Sequence, residues 1–210
     1  MSQTAIVIVA RDPRGAKRRL RTVLAPKERE TLSRAMLADV LAACGGARAD
    51  VLVVTESASV ARMARAGGAR VQRTETRGTR ACARIGIETA AKRGATAVLV
   101  LPADLPLLRT ADVRRLLAAG ATNGVVVAAD RHGRGTNALL IRPALAMPAL
   151  FGPASFTAHV KAARRRGLPV RTPRIAGVRL DIDTADDLRR LRQKQRIAGP
   201  WTAAALRELG

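Results

Sequence analysis

Three aspartates have the spacing and surroundings expected of a cation site that handles phosphates. Asp104 follows an apolar run, in the stretch LPADLPLL, and lies between two prolines that restrict the backbone on both sides. Asp181 and Asp183 alternate with apolar residues in VRLDIDT, so in an extended strand both carboxylates would point to the same side. Carboxylates held close together repel unless a cation lies between them. If Asp104 is close by, the three form an all-oxygen site of the kind that Mg²⁺ prefers.

Each of these motifs also has a simpler interpretation. Asp104 could be an ordinary turn or helix-cap residue. Asp183 or Thr184 could merely cap the helix that follows, because Thr184 and Asp187 have the spacing of a capping box. Helix capping and metal binding are compatible over 181–187, so the hypothesis of a Mg²⁺ site stands beside the cap.

A basic loop, RDPRGAKRRL at residues 11–20, follows the first predicted strand and carries five Lys or Arg side chains. In open α/β sheets, ligands bind beyond the carboxyl ends of the strands, which favours an anion-binding role for this loop. The loop contains neither GxGxxG nor GxxxxGK[ST], so neither a dinucleotide fingerprint nor a P-loop is present. A solvated basic loop is the alternative interpretation.

Two glycine-containing stretches could receive a phosphate or a carboxylate. GRGTN at 133–137 joins two predicted strands and would expose backbone N–H groups beside a Thr hydroxyl. FGPASFT at 151–157 breaks the chain and then opens a helix, whose N-terminus, with Ser155, is suited to an anion. The alternatives are a plain hairpin turn and ordinary Ser capping. His159 could face the same ligand, although a lone histidine on a helix is more often structural.

The elements that must position these residues alternate between strand and helix. Continuous apolar runs predict buried strands, and apolar residues at three-to-four spacing predict amphipathic helices. The predicted strands are 4–10, 50–55, 69–72, 96–101, 124–129, 136–141 and 178–183, and the predicted helices are 26–45, 57–65, 79–93, 110–119, 155–166 and 184–195. This alternation predicts a three-layer α/β domain with a mostly parallel sheet. The short turn between 124–129 and 136–141 predicts an antiparallel pair, and hence a mixed sheet.

Length and composition exclude several classes of protein. A chain of 210 residues with 48% hydrophobic residues is one folded domain's worth, not a disordered basic tail. The net charge of +22 points toward anionic partners, but three aromatic residues are too few for the stacking platforms that bind single-stranded nucleic acid. Cys44 and Cys82 lack the spacing of a zinc or disulfide motif and are expected to be buried thiols. We assign 1–198 to the domain and 199–210, with Trp201, to a tail segment that docks on it or on a partner.

The same sequence predicts a cytoplasmic protein without a membrane partner. The apolar run from Ala5 to Ala10 is too short for a signal peptide and has no basic residue before it. No run approaches transmembrane length. The oligomeric state is left open, a homodimer included.

Taken in order, these stretches resemble the CofC family of guanylyltransferases, which make the nucleotide-activated phospho-acid intermediate of coenzyme F-420 biosynthesis. The resemblance runs from about Ile6 to Leu191. It is carried by KRRL at 17–20, DLP at 104–106, GTN at 135–137, FGPAS at 151–155 with His159, and DIDT at 181–184. Each motif alone is weak, but five in the family's order are fairly specific.

The resemblance implies a GT-A-like nucleotidyltransferase fold that joins GMP from GTP to a small phosphorylated acid and releases pyrophosphate. The acid would be 2-phospho-L-lactate, phosphoenolpyruvate or 3-phosphoglycerate. By matching position, the resemblance implies three groups of site residues: carboxylates for Mg²⁺ (Asp104, Asp181, Asp183), catalytic groups at the nucleotide phosphates (Asp104, Lys17, Arg19) and contacts to the acid (Thr136, Gly152, Ser155).

Two positions depart from the family's pattern. Arg18 replaces the small hydroxyl residue of K-[ST]-R-L. Arg80 stands where the family usually has Asn in a G-L-N stretch, and we expect Arg80 to join Lys17 and Arg19 in binding the nucleotide.

Two other functions are alternatives to this one. A related nucleotidyltransferase acting on molybdopterin or a sugar phosphate would usually have a glycine-rich first loop, which residues 11–19 do not match. A basic nucleic-acid-binding protein would explain the charge of +22. In such a protein the carboxylates of Asp104, Asp181 and Asp183 would repel the phosphates of a nucleic acid, so a nucleic-acid partner is not expected.

Overall fold

The computed structural model of the chain describes residues 4–120 and 123–209. The strands are β1 (Thr4–Val9), β2 (Asp50–Thr55), β3 (Arg70–Arg73), β4 (Ala97–Pro102), β5 (Gly124–Ala129), β6 (Thr136–Arg142) and β7 (Val170–Arg171). The helices are α1 (Pro26–Gly45), α2 (Ala58–Ala66), α3 (Thr79–Lys92), α4 (Thr110–Ala119), α5 (Ser155–Arg165), α6 (Ala185–Gln193) and α7 (Pro200–Glu208). Most of these bounds lie within one or two residues of the predicted ones.

The strands form a mixed, mostly parallel sheet in the order β3-β2-β1-β4-β6-β5-β7. β1 pairs in parallel with both β2 and β4, and β5 pairs in parallel with β7. β6 runs antiparallel to both β4 and β5. The predicted α/β class, mixed sheet and antiparallel pair are therefore confirmed. The two-residue strand β7 was not predicted, because so short an edge strand carries no periodic signal.

Helices cover both faces of the sheet and make the predicted three layers. On β1, Ile6 and Ile8 point into one buried cluster, whereas Val7 and Val9 point into the other. Helices α1, α2 and α4 supply the first cluster, and α3 and α5 supply the second. Because both faces of β1 are buried, the strand reads as a continuous apolar run without polar alternation. Gly86 lets α3 approach the sheet closely, since a Cβ there would overlap the side chain of Val7.

The predicted strand 178–183 is wrong. Residues Ala176–Val178 form a single 3₁₀ turn, and 179–183 beyond it belong to no strand among the described residues. Val178, Leu180 and Ile182 are nevertheless buried, so the alternation of apolar and polar residues is real. Alternation shows which side chains are buried, and an irregular segment packed on a core can show it without pairing to a strand.

The segment 199–210 contains α7, which packs against α1. Leu206 of α7 is buried in a third apolar cluster that also contains Leu32 and Met36 of α1. The carboxylate of Asp39, buried on α1, accepts the backbone N–H groups of Trp201 (3.2 Å) and Thr202 (2.8 Å). This contact satisfies two N–H groups at the start of α7 that no turn of the helix can satisfy.

Two further expectations concern the cysteines and the membrane. Cys44 and Cys82 are buried free thiols, as predicted. Of the helices in 4–120 and 123–209, none combines the length and hydropathy that a membrane-spanning segment requires.

Candidate functional site

The predicted site residues line one cleft at the carboxyl edge of the parallel strands. The cleft has a volume of about 2010 Å³ and begins at the ends of β1 and β4. Its lining includes all nine predicted site residues: Lys17, Arg19, Arg80, Asp104, Thr136, Gly152, Ser155, Asp181 and Asp183. Pockets for drug-sized ligands usually measure about 300–1,000 Å³, so this cleft can hold a nucleotide together with a second small molecule.

A lysine and two aspartates form the ionic centre of this cleft. The Lys17 ammonium donates to Asp104 Oδ2 and, at 3.0 Å, to Asp183 Oδ1. The Lys17 side chain is only 8% exposed. Burial lowers the pKa of Lys17, but the two carboxylates raise it by more, so its pKa lies above the ordinary value. Lys17 is therefore charged, and it neutralises part of the carboxylate charge.

The backbone of Lys17 is unusual for a residue with a side chain. Its φ of 55° and ψ of 39° place it in the left-handed region, which costs a non-glycine residue about 1–2 kcal/mol. The 3₁₀ turn Arg18–Leu20 follows directly, and Leu20 is fully buried. The buried Leu20 and the paired ammonium hold the loop in this conformation, with Arg18 and Arg19 exposed beside the cleft.

The third carboxylate, Asp181, is held in place by Asn137 on β6. Asn137 Nδ2 donates to Asp181 Oδ1 at 3.0 Å and to the carbonyl oxygen of Val178 at 2.8 Å. Burial raises the pKa of Asp181 to about 6; the Asn137 hydrogen bond opposes this rise, and the charges of Asp104 and Asp183 add to it. Asp104 Oδ1 is buried without a hydrogen-bond partner. A negative cluster with an unpartnered oxygen fits a divalent cation in the chemistry of its donors.

The carboxylates do not converge on a single point. Across 4–120 and 123–209, no three His, Cys, Asp or Glu side chains are grouped as a ready metal site. The Lys17 ammonium lies between Asp104 and Asp183 and reduces the repulsion between the two carboxylates, as a shared metal ion would.

An ion-pair network outside the cleft holds the segment that carries Asp183. Asp187 Oδ2 accepts the backbone N–H groups of Asp183 (3.2 Å) and Thr184 (2.8 Å), and Thr184 completes the predicted capping box. Arg131 in turn binds Asp187 at 2.7 Å and Asp186 at 2.6 Å. The helix cap therefore also positions a cleft carboxylate.

The loop before Thr136 is built around one carboxylate. Asp130 Oδ1 accepts the backbone N–H groups of His132 (3.0 Å) and Arg134 (2.9 Å), and its Oδ2 accepts that of Gly135 (2.9 Å). A Cβ at Gly135 would lie 2.7 Å from Asp130 Oδ2, so a larger residue there would displace the Asp130 carboxylate from these hydrogen bonds. The turn thereby presents Thr136 at the edge of the cleft.

The start of α5 lies against the same loop. Gly152 has φ +142°, a backbone conformation that residues with side chains rarely adopt. The N–H of Phe156 donates to the carbonyl of Arg134 at 3.0 Å, which joins the first turn of α5 to the loop before Thr136. Ser155 is buried at the helix start and lines the cleft. His159 is also buried, and its Nδ1 lies 3.0 Å from Thr136 Oγ1.

Arg80 lies in the first turn of α3, after Gly78 with φ +98°. Arg80 lines the same cleft as Thr136 and Ser155, and its positive charge lowers the pKa of His159. On the same helix, Thr79 Oγ1 accepts from Arg11 Nη2 at 2.9 Å, which ties α3 to the basic loop after β1.

Several residues that build the site were missed as functional in the sequence. Asn137 is a polar residue at a buried strand position, and such a residue usually has a specific partner. Asp130 and Asp187 accept backbone N–H groups close to them in sequence, so their local patterns indicate a turn and a helix cap and not a functional site. Arg131 pairs with Asp186 and Asp187, which are distant in sequence, and such a pair leaves no local pattern.

Comparison with known proteins agrees with this arrangement. The family described as guanylyl transferase CofC like matches residues 4–195. A phosphoenolpyruvate guanylyltransferase of Rubrobacter xylanophilus is 45% identical over 91% of this chain and 94% of its own length. A 3-phospho-D-glycerate guanylyltransferase of Phenylobacterium zucineum is 36% identical over 86% of each chain. In fold, the chain is similar to a protein of Desulfovibrio desulfuricans G20 classed among the nucleotide-diphospho-sugar transferases, with a TM-score of 0.82, 19% identity, and coverage of 99% of this chain and 95% of that one.

Proposed function

Because the chain belongs to the CofC-like guanylyltransferase family, we propose that it transfers GMP from GTP to a small phosphorylated acid, in coenzyme F-420 biosynthesis. The observation that carries the proposal is the shared cleft. A basic loop, a carboxylate cluster and a loop–helix junction suited to an anion all open onto one space. A transfer between two phosphorylated substrates needs this combination, because both reactants are anionic.

We propose phosphoenolpyruvate as the preferred acid. What supports it is the 45% identity with the Rubrobacter phosphoenolpyruvate guanylyltransferase, against 36% with the Phenylobacterium 3-phospho-D-glycerate enzyme. 2-Phospho-L-lactate and 3-phosphoglycerate share its phosphate and carboxylate and are the acids to compare with it.

The reaction is an in-line displacement at the α-phosphorus of GTP. A phosphate oxygen of the acid forms the new bond to that phosphorus, the bond to the bridging oxygen breaks, and pyrophosphate leaves with the electron pair. No covalent bond to the protein is required, so the protein contributes positioning and neutralisation of charge. Lys17 and Arg19 face the nucleotide phosphates, with Arg80 contributing from the first turn of α3. Thr136, Gly152 and Ser155 receive the acid.

Asp104, Asp181 and Asp183 are the residues that would hold Mg²⁺. When bound, the ion would neutralise phosphate charge and orient the reacting oxygens. Lys17 already contacts two of these carboxylates, so in the substrate complex its ammonium would turn from the aspartates toward the phosphates. The unpartnered Oδ1 of Asp104 and the donor chemistry of the cluster support this assignment.

The two alternative functions are not favoured. The family and the named relatives are guanylyltransferases for phosphorylated acids, not for molybdopterin or sugar phosphates. A nucleic-acid-binding protein would leave the carboxylates of the cleft without a role. A cytoplasmic location and a homodimer stay predictions.

The test is pyrophosphate release from GTP and Mg²⁺ with each of the three acids, followed by mass detection of the product. Asp104→Asn and Asp183→Asn should abolish release. Glu88→Gln is the matched control, because Glu88 lies on α3 in a surface pair with Arg84. Activity that survives both aspartate substitutions would contradict the metal assignment, and no release with any acid would contradict the proposed reaction.

A further inference from the structure

His159 joins three parts of the cleft wall that the sequence shows only as separate motifs. The residue has no exposed surface. Its ring contacts Thr136 on β6 and the backbone of Leu150, and it packs edge-on against Phe151 with ring centres 5.1 Å apart at 73°. Thr136, the stretch before Gly152, and α5 with Ser155 therefore meet at this one side chain.

The hydrogen bonds of His159 select one tautomer. The backbone N–H of Leu150 lies 2.7 Å from His159 Nε2, and because a backbone amide can only donate, Nε2 must be the unprotonated, accepting nitrogen. A neutral ring then carries its proton on Nδ1. Nδ1 lies 3.0 Å from Thr136 Oγ1, so its N–H donates to the threonine hydroxyl.

The surroundings of His159 keep the ring neutral. Burial lowers the pKa of His159 to about 4, and the positive charge of Arg80 lowers it further, against a backbone hydrogen bond that raises it. At pH 7 the imidazole is uncharged. A charged ring would also have no lone pair left for the N–H of Leu150, so geometry and charge agree.

The selected tautomer decides what the Thr136 hydroxyl can do. Since its oxygen accepts from His159 Nδ1, its own proton remains available to another acceptor. Thr136 lines the cleft, where the proposed acid offers phosphate and carboxylate oxygens. In the opposite tautomer the hydroxyl would have to donate to Nδ1, and it could not also donate to the acid.

We propose that His159 is a positioning residue for acid binding, which acts by keeping the Thr136 O–H directed at the anionic substrate. The inference rests on the proposed function, because it takes Thr136 as a contact to the acid. It differs from a packing role, in which His159 would fill space and its protonation site would be irrelevant.

The tautomer is measured directly in the unliganded protein. The chain contains only two histidines, so ¹⁵N-histidine NMR gives two ring systems, and His132→Asn assigns them through an exposed side chain. We expect a protonated Nδ1 and an unprotonated Nε2 for His159 at pH 7. A protonated Nε2, whether in the opposite tautomer or in an imidazolium, would overturn the inference.

Kinetics separate positioning from packing. His159→Asn keeps an N–H donor near Nδ1, whereas His159→Gln keeps an acceptor near Nε2 and loses the donor to Thr136. A hydrogen bond to a charged group is worth about a factor of ten or more, so His159→Gln should raise the KM for the acid about tenfold and leave the KM for GTP within about twofold. His159→Asn should keep the KM for the acid much closer to the wild-type value than His159→Gln does. The Tm of each variant checks that it folds.

A double-mutant cycle gives the decisive comparison. In a Thr136→Val background there is no hydroxyl to direct, so adding His159→Gln should change the KM for the acid by less than about twofold. Additive effects of the two substitutions, or an equal rise in the KM for GTP, would show that His159 acts only by packing. That result would overturn this inference and leave the proposed function unaffected. Wild-type protein that releases no pyrophosphate with any of the three acids would instead overturn the proposed function, and the acid-binding role with it.

Discussion

Lys17 Nζ donates to Asp183 Oδ1 at 3.0 Å, across 166 residues of sequence. The same ammonium also donates to Asp104. The cleft thus contains a cationic side chain among carboxylates that would otherwise repel one another. Lys17 therefore stabilises the folded cleft by pairing with these carboxylates.

Replacing Lys17 should expose this repulsion. We expect Lys17→Met to lower the free energy of unfolding by about 1–3 kcal/mol, since removing one partner leaves buried charge uncompensated and Asp183 is partly solvated. Added Mg²⁺ should raise the Tm of this variant more than that of the wild type, measured by thermal unfolding with and without the ion. Lys17→Arg, which keeps the charge, is the control. Equal Mg²⁺ effects on Met variant and wild type would contradict the prediction.

Asn137 should matter to stability and to activity. Asn137→Ala leaves Asp181 Oδ1 and the Val178 carbonyl without their donor in a buried site, which costs about 2–3 kcal/mol. Urea unfolding measures that loss of stability. Pyrophosphate release, measured under conditions where the variant is folded, should fall because Asp181 is no longer held in place. Asn123→Ala removes an exposed amide and should change neither. A stable, fully active Asn137→Ala protein would refute the positioning of Asp181 by this side chain.

His159 should make the fold sensitive to mild acid. Its pKa is depressed to about 4 in the folded chain, against about 6.5 unfolded, so between these values the unfolded state binds the additional proton. The stabilisation is complete above about pH 6.5 and decreases as the pH falls toward 4. From pH 7 to pH 5 the wild type should lose on the order of 1–2 kcal/mol more than His159→Asn, measured by urea unfolding at both pH values. Equal losses of stability in the wild type and His159→Asn would contradict this prediction.

Asp39 should secure α7 to α1. Asp39→Ala removes the acceptor of two N–H groups at the start of α7, and loss of such a cap costs about 1–2 kcal/mol. Urea unfolding compares it with Asp50→Ala, an exposed aspartate at the start of β2. If both variants lose the same stability, the Asp39 contact contributes nothing specific.

Much of the fold follows from local pattern. Strands such as β1 and β4 are buried on both faces, so they read as unbroken apolar runs, and the glycines and prolines mark where helices begin and end. The same pattern failed at 178–183, where alternating burial exists without a partner strand. Pairing depends on a neighbour that a local window does not contain.

The placement of the candidate site residues likewise follows from the sequence only in part. Asp104 and the basic loop are visible in the sequence because they follow parallel strands, whose carboxyl ends share one edge of the sheet. Thr136 reaches that edge for a different reason: β6 is antiparallel to β4, so its first residue lies there rather than its last. The turn before Thr136 follows the carboxyl end of β5, so this placement depends on β5 running parallel to β4, which the sheet order decides.

The sequence by itself determined the α/β class and the mixed sheet, because these depend on short-range periodicity, and the resemblance of its motifs to a family implied which side chains line the cleft. Only the tertiary structure decided the partners: Lys17 with Asp104 and Asp183, Asn137 with Asp181, and His159 with Thr136. Hydrogen bonds and ion pairs require atoms to lie within about 3 Å of one another. Between residues far apart in the chain, that distance is set by how β6, α5 and the loop after β1 pack together.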